Sequence, residues 1–72
     1  MENRQTGTVI AYDSVAGQGI ILPDNGQGEL FLDVYGLLPG FELKIREGAR
    51  VAFRVLAHTT GPRAEDVEVL DN

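Results

Sequence analysis

Gly17 and Gly19 stand one residue apart and lead directly into Ile20-Ile21-Leu22. Glycine inside a strand pattern marks a bulge, a sharp coil of the sheet or a close backbone approach. The pattern predicts a strongly bent second strand, the kind of bend that lets one strand serve two walls of a closed small barrel. Successive strand residues point to opposite faces, so Ile20, Ile21 and Leu22 put hydrocarbon on both. One face lines a core. The other is left outward and apolar, and it poses the main functional question of the chain.

The remaining segments supply partners for that strand. Gln5 to Asp13 holds the strand formers Thr6, Thr8, Val9, Ile10 and Tyr12. Asp13-Ser14-Val15-Ala16-Gly17 reads as a turn. After Gly19 to Leu22, the run Pro23-Asp24-Asn25-Gly26 is a turn with a mechanism: proline fixes φ, and the next residues tolerate positive φ. Glu29 to Asp33 is the third strand, centred on Leu30, Phe31 and Leu32. Gly36, Pro39 and Gly40 exclude a long helix from Val34 to Gly48 and leave room for a single helical turn near Gly36-Leu37. Arg50 to Ala57 alternates, which places Val51, Phe53 and Val55 inward and Arg50, Ala52 and Arg54 outward. Arg63 to Leu70 is the fifth strand, with Val67 and Val69 inward. The expected fold is all-β: a five-stranded antiparallel OB-fold barrel, in one domain over residues 1–72. An SH3-like barrel also fits the loop lengths.

A chain of 72 residues buries only about 60% of its unfolded surface. It has no cysteine for disulfides or thiolate metal sites. The N-terminus, Met1-Glu2-Asn3-Arg4-Gln5, has no apolar signal core, and no run approaches a membrane span. A cytoplasmic protein without membrane contact is expected. The net charge of −5 lies wholly in residues 1–43, where Arg4 stands against six carboxylates; residues 44–72 carry five cations and five carboxylates. A polyanion is repelled by the first half unless local geometry overrides the field.

Nothing in the chain supports catalysis. His58 has no second His or Cys with which to complete a metal site. Glu65 and Asp66 are adjacent on a strand and cannot act together as a carboxylate dyad. Gly17-x-Gly19 is not followed by a helix and is no dinucleotide loop. No enzyme activity, metal or cofactor is expected.

The chain resembles the bacterial cold-shock proteins from Thr6 to Leu70. Gly7-Thr8-Val9 is similar to the family's opening Gly-x-Val. Gly17-Gln18-Gly19-Ile20-Ile21 stands where the family has Lys-Gly-Phe-Gly-Phe-Ile, and Leu30-Phe31-Leu32-Asp33 where it has Val-Phe-Val-His. Glu47-Gly48-Ala49-Arg50-Val51-Ala52-Phe53 resembles Glu-Gly-Gln-x-Val-x-Phe, and Gly61-Pro62-Arg63-Ala64-Glu65-Asp66-Val67 resembles Gly-Pro-x-Ala-x-Asn-Val. The resemblance implies the cold-shock barrel and binding of single-stranded RNA or DNA on an aromatic sheet face. It also shows what this chain has replaced. The family's Lys-Trp pair on the first strand is Ile10-Ala11, the lysine of the first motif is Ala16, its phenylalanines are Gln18 and Ile20, and the histidine of the second motif is Asp33. Phe31 and Tyr12 remain at aromatic positions, and Arg63 is near the last loop. Each base–aromatic stack is worth roughly 1–3 kcal/mol, so weakened binding is implied.

Two readings of the outer face follow. In the first, Tyr12, Gln18, Ile20, Phe31, Asp33 and Arg63 form a reduced nucleic-acid face. In the second, the same apolar face of the first three strands meets a protein partner or a second copy of the chain.

Overall fold

The computed structural model describes residues 4–70. Met1-Glu2-Asn3 and the two final residues lie outside the described residues. Five strands form where the sequence places them: β1 (Gln5–Asp13), β2 (Gln18–Pro23), β3 (Leu30–Asp33), β4 (Arg50–Leu56) and β5 (Arg63–Val69). They close into a barrel in the order β1-β2-β3-β5-β4. A single 3-10 turn, Val34–Gly36, follows β3, and Asp33 caps it by accepting the Tyr35 N–H at 3.0 Å.

The expectation of a purely antiparallel barrel needs one correction: β3 and β5 are parallel neighbours, paired at Phe31↔Arg63. Short hairpins impose antiparallel pairing only between consecutive strands. The long joint from β3 to β4 carries the chain across the barrel, and β5 returns alongside β3 in the same direction.

Two bulges set the side-chain register. On β1, Val9 pairs with Ile21 and the next pair is Ala11↔Ile20, so Ile10 is the extra residue. The irregularity thus sits on β1 and not on the glycine-bearing strand. Gly19 serves close approach instead: a Cβ there would lie 2.5 Å from the Ala11 carbonyl oxygen and 2.9 Å from a Tyr12 ring carbon. Gly17, with φ +69°, completes the β1–β2 turn and donates its N–H to Asp13 O at 2.8 Å.

The second bulge is on β5, between the pairs Ala52↔Glu68 and Arg54↔Glu65. Asp66 lies in this extra stretch with φ 52°, the one positive-φ non-glycine among the described residues. The alternation expected of β4 is broken there. Ala52 is buried and Val55 is 39% exposed, the reverse of the sequence expectation. A bulge bends the strand pair and increases its twist, which swings Arg54–Leu56 away from the core.

The core is filled by Val9, Ile21, Leu30, Leu32, Val51, Phe53 and Val67, with Ile45 of the β3–β4 joint packed among them. No polar or charged side chain is buried among the described residues. The hydrophobic interior therefore needs no internal polar partners.

Candidate functional site

Register decides which side chains share the outer wall. Ala11, Ile20 and Phe31 form one cross-strand row, and Asp13, Gln18 and Asp33 form the next row but one. By alternation both rows face the same way. The row between them, Tyr12, Gly19 and Leu32, faces inward, and Leu32 is fully buried. Ile20, Phe31 and Asp33 are half-buried and Gln18 is exposed. A shallow depression of about 380 Å3 lies over this wall, with Ala11, Gln18, Ile20 and Phe31 in its lining.

Tyr12 is the exception. Sequence reasoning places it on the outer face with Phe31, whereas the extra residue at Ile10 shifts β1 by one and turns Tyr12 into the inward row. Its ring lies against Gly19 and packs on the core, while part of the residue borders the depression.

Arg63 reaches the same wall from β5 across the parallel seam. Its guanidinium carbon is 5.2 Å from the centroid of the Phe31 ring, within the range of a cation–π contact. One of its terminal nitrogens is 3.8 Å from Asp33 Oδ2. Ring, cation and carboxylate thus stand together, and Ile20 adjoins them through its pairing with Phe31. The sequence gives no direct sign of this triad, because its members meet only through the β3–β5 pairing.

Three other arginines, Arg4, Arg50 and Arg54, also stand in ion pairs. Arg4 meets Glu68 at 3.1 Å, and Arg54 meets Asp66. Arg50 grips Asp24 with two hydrogen bonds, at 2.8 and 2.6 Å, and donates a third to Thr8. Thr6 donates to the same Asp24 carboxylate at 2.6 Å. The Arg50 hydrogen bonds, followed by the Thr6 hydroxyl, hold the Asp24 carboxyl well below the usual carboxylate range. The same partner raises the Arg50 pKa. His58 sits on an exposed loop within 3.0 Å of the Thr60 hydroxyl.

A second groove, of about 630 Å3, lies between the β3–β4 joint and the end of β5, where Leu43, Lys44, Arg46 and Glu47 line it. Sequence reasoning did not single it out as a site, although Glu47 opens one of the family motifs. Among the described residues no group of three or more His, Cys, Asp or Glu could hold a metal ion. No helix among them is long and apolar enough to cross a membrane.

A closed five-stranded barrel with this strand order and an outward β1–β3 wall defines the cold-shock-domain form of the OB-fold. The chain belongs to the cold shock protein family. It is 34% identical over 70 residues to cold shock protein CapB of Pseudomonas syringae, covering 97% of this chain and all of that one. It is 35% identical over 71 residues to major cold shock protein CspA of Pseudomonas aeruginosa, and 31% identical to cold shock-like protein CspA of Vibrio cholerae, again over the whole of each. No family model matches the sequence. Among solved structures, a Drosophila Unr fragment, CSD456, superposes with a TM-score of 0.80 at 23% identity, spanning 97% of this chain and 28% of that one. That likeness concerns the fold.

Proposed function

We propose that this chain is a non-catalytic, single-domain cytoplasmic protein that binds single-stranded RNA or DNA weakly through the β1–β3 wall. The observation that carries the reading is the Phe31 ring on the outward sheet face with the Arg63 guanidinium against it. Unstacked bases are held on aromatic rings and on guanidinium planes, and this pair offers both. Ile20 and Ala11 extend the apolar floor beside it. Asp13 and Asp33 on the same wall oppose phosphate, so affinity falls short of that of a lysine-lined face.

The test is fluorescence titration of a labelled single-stranded oligonucleotide at low salt. Saturable binding that weakens in Phe31→Ala supports the reading. Absence of binding, or binding indifferent to Phe31→Ala, overturns it. The apolar lining of the depression favours a second reading, in which a protein partner or second copy covers Ile20 and Phe31. Sedimentation of the same samples separates the two: concentration-dependent association abolished by Ile20→Glu, without oligonucleotide binding, supports the second.

A further inference from the structure

Asp33 is held in place yet has acceptor capacity to spare. Its Oδ1 takes the Tyr35 N–H at 3.0 Å, which fixes the carboxylate plane at the head of the 3-10 turn. Its Oδ2 has Arg63 as a charge neighbour at 3.8 Å, beyond hydrogen-bond length. Asp33 lies two residues along β3 from Phe31, a separation of about 6.6 Å on the same face. A base that displaces the Arg63 guanidinium from over the Phe31 ring and stacks there brings its edge to Asp33, with the displaced Arg63 beside it.

We infer that this edge selects guanine; the inference rests on the nucleic-acid reading above. The wall offers a carboxylate acceptor next to a guanidinium donor. Guanine presents two adjacent donors, N1–H and the N2 amino group, followed by the O6 acceptor on its Watson–Crick edge. The donors meet Asp33 and O6 meets Arg63. Adenine, cytosine and uracil each present at most one donor beside an acceptor on that edge, so each satisfies the carboxylate less completely. Because Asp33 neutralises Arg63, phosphate gains little here, and base-edge hydrogen bonding is the recognition chemistry left to the pair.

The experiment compares three oligonucleotides of equal length: an all-uridine strand, the same strand with one central guanosine, and the same strand with inosine at that position. Inosine keeps the purine stack and lacks the N2 amino group, which isolates the edge contact. The wild-type protein is expected to bind the guanosine strand about tenfold more tightly than the inosine strand. Asp33→Asn, whose amide oxygen still accepts the Tyr35 N–H, is expected to level the two. Equal binding of guanosine and inosine strands by the wild type overturns the guanine assignment and leaves nucleic-acid binding standing. So does a preference that survives Asp33→Asn. Failure of the wild type to bind any of the three strands overturns both.

Discussion

Arg63 lies with its guanidinium carbon 5.2 Å from the centroid of the Phe31 ring, although the two residues are separated by an entire strand and two loops. Their Cα atoms are partners in the parallel β3–β5 pairing. The contact joins the aromatic ring of the outer wall to a cation that Asp33 already faces at 3.8 Å. Ring, cation and carboxylate therefore meet at the β3–β5 edge of the wall.

Phe31→Ala should lower oligonucleotide affinity by a factor equivalent to about 1–3 kcal/mol, the worth of one base stack. The fold should persist, because Phe31 lies outside the buried core cluster. Phe53 is fully buried, and Phe53→Ala should cost about 3–5 kcal/mol, enough to unfold much of so small a barrel. Circular dichroism melts beside the titrations distinguish the two outcomes.

Salt dependence should be shallow in the wild type, because Arg63 is already neutralised by Asp33. Asp33→Asn frees that cation. The slope of log K against log[salt] should steepen by about 0.7, the contribution of one phosphate contact to a single strand. A titration series from low to moderate salt reads the difference directly.

Gly19→Ala should destabilise the barrel by about 1–3 kcal/mol, the usual cost of overpacking. The added Cβ would lie 2.5 Å from the Ala11 carbonyl oxygen, where backbone rather than a flexible side-chain tip must move. Gly26→Ala is the contrasting case: no neighbour lies within 4 Å, and the strain comes from its φ of +81° alone. Urea midpoints of the two variants should separate the steric cost from the conformational one.

Asp24 ties the β2–β3 loop to β4 through Arg50, and its folded-state pKa is depressed below the unfolded value of 3.8. The stability contributed by this carboxylate is therefore present above that unfolded value and is lost as pH falls toward the folded one. Between neutral pH and pH 5 the difference in stability between wild type and Asp24→Asn should be flat. Below about pH 4 it should shrink, as the wild-type carboxylate takes up its proton. Urea unfolding of both proteins across that range checks the sign.

Several features were open to reading in the chain itself. Strand formers between glycine- and proline-rich turns specified five strands, since local backbone preference and apolar alternation act over a few residues. The motif order from Gly7 to Val67 specified the cold-shock barrel, and the resemblance implied a reduced face from Ile10, Ala11, Ala16, Gln18, Ile20 and Asp33 at the family's lysine and ring positions. Only the tertiary structure decided which side chains share that face. The extra residue at Ile10 turns Tyr12 inward, and the bulge at Asp66 exposes Val55. A one-residue slip inverts a strand's facing, and bulge positions depend on the partner strand as well as on the strand's own residues. The meeting of Phe31, Asp33 and Arg63 likewise required barrel closure, because the seam between β3 and β5 joins segments that no local signal connects.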